Sequence, residues 1–482
     1  MSRWLNAALD YIPRWIEFQM RQTERPGCVI AIAHRGRIVL DKAFGFADAV
    51  KGVPLTARHR FRVASHSKAF TAAGVMRLRE QNRLRLDEPV GQHVQGLHPA
   101  VAQVTISQLL SHSAGIIRDG ADTGQWVERR PFADTGKIRA DLAAGLTIEP
   151  GSRFKYSNHG YGLVGLAIEA ITGEPYGAFI KREVVDALGL EETAPDVGFP
   201  NTAPLAHGHG TVLPLGRRVV IASDKSTNAL AAATGFVSTG ADLARFFGQL
   251  SPSARASVLS PASRREMIRR QWRDPYSSLE RHYGLGISSG THGDWDWFGH
   301  GGGFPGVITR TTVLPNQELA ISVLTNASDG LASEWTDGTI HVLRRFARDG
   351  APSRRVSGWT GRWWTLWRTL DLVPVGDKVL AANPAFLNPF LDASEIVVTA
   401  RDRGRIALAG GFASHGEEVR LGRNRRRKVT EVVFAGMTMS SEARIASEIQ
   451  ARYERRAATP PGVRPSDGGG SRRTPRGRGR KP

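Results

Sequence analysis

Cysteine is nearly missing from this chain, with Cys28 standing alone among 482 residues. No intrachain disulfide can form, which excludes a disulfide-stapled scaffold. Cys28 opens the apolar run Cys28–Ala33, so an inert buried thiol in a cytoplasmic protein is the expectation. Long apolar runs are missing too. No stretch approaches the ~20 residues of a membrane-spanning helix, and Met1–Pro13 lacks the basic start, apolar run and small-residue cleavage site of a secretory leader. No internal repeat is present, which excludes solenoids and propellers. Acidic residues are outnumbered 45 to 65, giving a net charge of +20, and residues 351–482 alone hold 25 basic and 12 acidic side chains. Arg423, Arg425, Arg426, Arg427 and Lys428 form one cluster, and Arg472, Arg473, Arg476, Arg478, Arg480 and Lys481 another. Such runs can meet the phosphates of nucleic acid or an anionic membrane. A solvated, solubilising charge is the simpler reading, and no specific nucleic-acid partner is expected.

What is present begins at Ser65 and Lys68, a hydroxyl and an amine three residues apart at the head of a segment, Lys68–Glu80, rich in helix formers. Side chains at that spacing share a helix face, so the amine reaches the hydroxyl. A helix start also offers unpaired N–H groups to an oxyanion forming beside the serine. The competing reading of Ser65 is an ordinary helix cap. The same pattern recurs at Ser152 and Lys155, but Pro150 and Gly151 precede it and no helical run follows, so that pair reads as a loop.

Two later motifs tip the balance. Tyr156 is followed by Ser157 and Asn158, ahead of a glycine-rich helical stretch, and His300 opens the cluster Gly301, Gly302 and Gly303 before a strand-like run ending at Leu314. In this order the three motifs resemble the serine hydrolases of the β-lactamase and penicillin-binding fold, in the branch of class C β-lactamases, esterases and D-aminopeptidases. Arg25–Gly27, Thr105–Ile116 and Ala233–Phe246 match further segments of that branch, and the resemblance spans roughly residues 5 to 345.

The resemblance implies roles residue by residue. Ser65 is the acylated nucleophile and Lys68 the amine that helps remove its proton, which requires a pKa below the usual ~10.4. Tyr156 shuttles a proton to the leaving group and later takes one from water. Asn158 holds Lys68 and the substrate. His300 takes the place of a lysine found in many relatives, on the strand edge that binds substrate. The oxyanion hole is formed by the N–H groups of Ser65 and Gly303, with Gly302 beside it. His112 is structural rather than part of a serine, histidine and aspartate triad. Trp295 and Trp297 either wall the acyl pocket or pack in the core. Many relatives carry serine or threonine where this chain has Gly301. Its absence removes a hydrogen bond to a substrate carboxylate worth about 1.5 to 3 kcal/mol, so esters, amides or peptides with a free amine are favoured.

Strand-like runs at 28–33, 37–46, 307–314 and 318–325 enclose helix-like runs at 66–81, 160–172, 176–188 and 240–250. Together with the resemblance they imply an α+β fold: an antiparallel sheet flanked by helices, beside a helical lobe, over residues 1–350. Trp4, Leu5, Ala8, Leu9, Ile12, Trp15 and Ile16 predict a first amphipathic helix against the core. Residues 355–455 alternate short apolar runs with turn residues, predicting a small β-barrel, lipocalin-like, with Trp359, Trp363, Trp364 and Trp367 as its core in preference to a surface facing the catalytic domain. Its expected job is to cover the cleft or set substrate size. Residues 457–482 are expected to be disordered. The function implied is acyl-enzyme hydrolysis of a small ester, amide or D-amino-acid peptide, with no cofactor and no metal. Alternatives are weak β-lactamase or D,D-peptidase action, acyl transfer, a non-catalytic acyl-binding sensor, and a charge-driven nucleic-acid or membrane binder.

Overall fold

The computed structural model describes residues 1–273, 280–410 and 414–457. The first helix, α1 (Arg3–Gln22), buries the predicted stripe of Leu5, Ala8, Leu9, Ile12, Trp15 and Ile16. Then come β1 (Gly27–His34) and β2 (Arg37–Asp48), a short turn at Ala64–His66 and α2 (Ser67–Glu80). The helical lobe includes α3 (Asn158–Thr172) and α4 (Gly240–Gln249). The chain returns through β3 (Ser288–His292), β4 (Trp295–Phe304), β5 (Val307–Leu314) and β6 (Leu319–Thr325), and crosses the back of the sheet as α5 (Ala332–Asp349).

These strands form one sheet in the order β2-β1-β6-β5-β4-β3, extended by Val53–Pro54 at one edge and by Arg281–Tyr283 and Trp272–Arg273 at the other. The described pairs are antiparallel, and β1 lies against β6 in the register Cys28↔Thr325 to His34↔Leu319. Alternation along β1 sorts its side chains into two cores. Val29 and Ala33 join Phe70, Leu163, Phe246 and Phe298 on the lobe side, while Cys28, Ile30 and Ile32 join Trp15, Trp335 and Leu343 behind the sheet. The same alternation in β4 puts Trp295 and Trp297 in the rear core. They do not wall an acyl pocket.

After α5, eight strands close a barrel between Gly361 and Ser440. Trp359 and Trp363 fill it, as expected. The other two tryptophans depart from the expected core. Trp364 leaves the barrel interior to meet Phe18 of α1, ring centroids 5.8 Å apart, and Trp367 is 83% exposed. The barrel docks on α1 and α5. Tyr11 donates to Asp371 at 3.0 Å, Trp15 Nε1 to the Phe386 carbonyl at 3.2 Å, and Arg345 to Glu395 at 2.6 Å, while Val373, Val375, Leu380 and Phe390 extend the rear core. This places the barrel on the far side of the sheet from the lobe, so the expectation that it covers the cleft is corrected: its apolar seam is complementary to the two rear helices. A helix not foreseen, α6 (Glu442–Ala457), follows the last strand. The basic cluster at 423–428 forms the turn between two barrel strands, where Arg423 bonds Asp402 at 2.6 Å. The tail expected to be disordered beyond α6, with its arginine cluster, lies outside the described residues. No single described helix is long and apolar enough to cross a membrane.

Candidate active site

Ser65 occupies the turn that feeds α2. Ala64 before it has φ +47°, a left-handed conformation that costs a β-carbon-bearing residue of order 1 kcal/mol and is held only by its surroundings. Those surroundings are explicit. Val63 N–H donates to the Phe236 carbonyl at 2.9 Å, Ser67 Oγ donates to the Ala64 carbonyl at 2.6 Å, and Phe236 N–H donates to Ser67 Oγ at 3.0 Å. Phe70, one turn on, stacks between Phe236 and Phe246 with centroids 4.2 and 3.7 Å away. The start of α2 is therefore fixed on both sides.

Lys68 is fully buried. Its Nζ lies 3.1 Å from Ser65 Oγ, 2.7 Å from Asn158 Oδ1 and 2.9 Å from the Ala233 carbonyl. Burial holds its pKa well below the ordinary lysine value; Asp119 opposes that shift and Arg118 adds to it. Tyr156 Oη donates to Ser65 Oγ at 2.6 Å, and its ring lies 4.6 Å from Lys68 Nζ. Burial raises the Tyr156 pKa, so the phenol keeps its proton. The structure thus brings Ser65, Lys68, Tyr156 and Asn158 into one hydrogen-bonded set.

The loop that carries His112 and Arg118 positions the tyrosine and asparagine. Ser157 caps α3 by accepting from Gly160 N–H at 2.8 Å, its own N–H donates to His112 Nδ1 at 3.1 Å, and Asn158 N–H donates to the Arg118 carbonyl at 2.9 Å. His112 stacks on Tyr156 at 4.1 Å and is held neutral by burial, the structural part expected of it. Asn158 Nδ2 donates to Asp119 Oδ1 at 2.6 Å. Asp119 was missed: it stands three residues beyond Ile116, where the recognised segment ends, with no pattern of its own.

His300 points to the lobe side of β4 but bonds none of the four. Its Nδ1 faces the Gly301 carbonyl at 2.6 Å and its Nε2 faces Tyr283 Oη at 3.0 Å. A carbonyl only accepts, so Nδ1 carries the proton and Nε2 accepts from the tyrosine. Burial above all keeps its pKa well below the usual histidine value. Both nitrogens being engaged, His300 is a neutral wall beside Lys68 and not a base for Ser65. The glycines divide. A Cβ on Gly302 would stand 2.2 Å from the Val63 carbonyl oxygen, so Gly302 lets β4 press against the serine turn, a packing role and not the oxyanion-binding one expected. Gly303 is exposed, and a Cβ there would touch only Ile308 Cδ1 at 3.6 Å. Phe304↔Val307 closes the two-residue turn at Pro305 and Gly306, so Gly303 belongs to the alternate pairs, whose N–H points away from β5. Pairing with β3 ends at Gly299, which leaves that N–H free to face the cleft. Ser152 is exposed and donates only to the Glu149 carbonyl, and Lys155 N–H donates to the His112 carbonyl; the second serine and lysine pair is a loop, as read.

An antiparallel sheet between a helical lobe and a rear helix pair, with the serine turn pressed on the strand edge, defines the β-lactamase/transpeptidase-like fold. The chain belongs to the Beta-lactamase family, which it matches over residues 12–342. Among curated relatives it is 29% identical to Protein flp of Staphylococcus aureus over 40% of this chain and 39% of that protein, and 30% identical to Esterase EstB of Burkholderia gladioli over 42% and 53%. The matched stretch therefore spans about half or less of the length of these relatives. Among solved structures, the octameric penicillin-binding protein homologue from Pyrococcus abyssi superposes with TM-score 0.63 at 23% identity, covering 90% of this chain and 99% of that one. The D-amino acid amidase from Ochrobactrum anthropi SV3 complexed with D-phenylalanine gives 0.59 at 22%, covering 69% and 99%. The two solved structures share the fold of this chain.

Proposed function

We propose that the protein is a serine hydrolase working through an acyl-enzyme on Ser65, with small amides or esters of amino acids as substrates. One observation carries the reading: the accounting of hydrogens on Lys68. As a neutral amine, Lys68 has two N–H bonds, and two fixed acceptors, Asn158 Oδ1 and the Ala233 carbonyl, lie at 2.7 and 2.9 Å. Its lone pair is then directed at Ser65 Oγ, 3.1 Å away. Ser65 gives its proton to Lys68 as Oγ attacks the acyl carbon, and the oxyanion gathers on the N–H groups of Ser65 and Gly303. Lys68 passes the proton through Tyr156 Oη to the leaving amine or alcohol, and the C–N or C–O bond breaks. Water then attacks the ester, giving a proton to the Tyr156 and Lys68 pair, and Ser65 Oγ leaves with that proton restored.

Asp119 supports an amino-acid substrate. Each of its oxygens keeps a lone pair beyond the bonds to Asn158 and to Arg118 Nε at 3.0 Å, and a substrate ammonium would pair with it. Gly301, without a hydroxyl for a carboxylate, and the amidase-like fold point the same way. The test is intact mass after a fluorophosphonate probe on wild type and Ser65→Ala, followed by D- and L-amino-acid anilides and nitrophenyl esters. One adduct, lost in the variant, is the expected result. A wild type that takes no adduct overturns the reading.

A further inference from the structure

The loop that carries Asp119 to Asn158 also brings a cation to the site. Arg118 is pinned through its backbone: its carbonyl accepts from Asn158 N–H at 2.9 Å and from His159 N–H at 3.1 Å, and the Ile117 carbonyl before it accepts from Ser157 Oγ at 2.7 Å. Those three partners directly follow Tyr156, so the arginine is fixed relative to the phenol. On its other side the loop turns at Gly120, φ +84°, over the Asp141 carboxylate, where a Cβ would clash with Oδ2. Both ends of the short loop are held.

The guanidinium lies against the residue that delivers the proton. Arg118 Cζ stands 5.3 Å from the Tyr156 ring centroid, and the Oη of that ring is 2.6 Å from Ser65 Oγ. Only one of its five N–H bonds is engaged. Nε donates to Asp119 Oδ2 at 3.0 Å, and among the described residues neither Nη has an acceptor, while the side chain is 66% exposed. Asp119 is only 6% exposed and accepts from Asn158. The exposed part of the pair is its cationic fork. An exposed arginine in a chain of net charge +20 is ordinarily a solubilising one. Arg118 differs in being held beside the reacting serine, and in what faces it. On the strand edge Gly301 brings no hydroxyl for an anion, and both nitrogens of the neutral His300 are engaged, with the Gly301 carbonyl and Tyr283.

We propose that Arg118 receives a carboxylate on the leaving group, and that the substrates are dipeptides whose scissile nitrogen belongs to the C-terminal amino acid. The inference rests on acylation of Ser65. As the amide C–N bond breaks, the nitrogen takes its proton from Tyr156 Oη, and in a C-terminal amino acid the carboxylate is one carbon away from that nitrogen. A planar fork with both Nη groups unbonded matches a carboxylate bidentately. With the substrate ammonium on Asp119, the ion pair of Arg118 and Asp119 meets a zwitterionic dipeptide charge for charge.

The experiment compares two peptides that differ only at the C-terminus, alanyl-phenylalanine and alanyl-phenylalaninamide, with the alanine in the configuration that the anilide panel favours, on wild type and Arg118→Gln. Glutamine removes the charge, still offers Asp119 an N–H, and replaces a side chain too exposed for the fold to depend on it. In wild type kcat/KM for release of the C-terminal residue, followed by chromatography, favours the free carboxylate by about 10-fold or more, mainly through KM. In Arg118→Gln the two peptides come within about 2-fold of each other. The ratio is taken within one protein, so a general loss from a disturbed Asp119 or Lys68 cancels. Equal kcat/KM for the two peptides in wild type, a preference that survives Arg118→Gln, or cleavage of neither peptide, with the probe adduct still on Ser65, overturns the role of Arg118 and leaves the hydrolase reading standing. A wild type that takes no adduct overturns both.

Discussion

With two of its hydrogens committed, Lys68 works as a base only while it is neutral, so activity should rise with pH through the Lys68 titration, at a pH well below that of an ordinary lysine. The charge of Asp119 raises that pKa against burial. Asp119→Asn removes it, the folded pKa falls further, and the acid limb of kcat/KM should move to lower pH when measured on an ester without an amine. A limb that stays put denies the coupling. Tyr156→Phe keeps the ring on His112 but loses the Oη that bonds Ser65, and turnover should drop about 100-fold or more in a steady-state assay. At this scale the sequence carried the parts whose spacing is local: Ser65 and Lys68 one turn apart, and Tyr156 and Asn158 around a helix cap. Asp119, 39 positions from the Asn158 it holds, and Tyr283, 17 from His300, meet their partners only through the fold, and a lone Asp or Tyr has no pattern to betray it.

Elements were legible where an apolar period was strong, as in α1, or where composition was plain, as in the apolar run of β1 and the helix formers of α2, and less so where composition was ambiguous. The charged run of α6 reads as a solvated stretch, and the four clustered tryptophans do not reveal which face meets the barrel interior and which meets α1. The same holds for the barrel's seat, because a surface that docks is apolar in the same way as one that fills a core. The seat yields a prediction of its own. Gly338 of α5 faces Trp15 and the Leu387 carbonyl, and a Cβ there would stand 2.1 and 2.4 Å from them. Gly338→Val should therefore push α1, α5 and the barrel apart, costing about 1–3 kcal/mol and lowering the melting temperature in calorimetry by about 2–4 °C per kcal/mol. Activity at low temperature should be kept, since the serine turn lies across the sheet. Ser152→Ala, in its exposed loop, should leave both unchanged.

Across the whole molecule the two cores share one sheet, and the rear one is completed only by the barrel. A chain ending at residue 350 would bare the surfaces of α1 and α5 now covered by Val373, Val375, Leu380 and Phe390, an apolar patch of the sort that drives association. Size-exclusion chromatography of that truncation should show aggregates, and a well-behaved monomer would mean that the rear core closes without the barrel. The pairing of β1 with β6 has a further consequence in time. Cys28 must wait for Thr325, so on a ribosome adding roughly 5–20 residues per second the first strand, apolar on both faces, spends about 15 to 60 seconds without its partner. Through that interval the nascent chain exposes an unmated strand edge, and its yield in a cell should depend on the chaperones that meet it there.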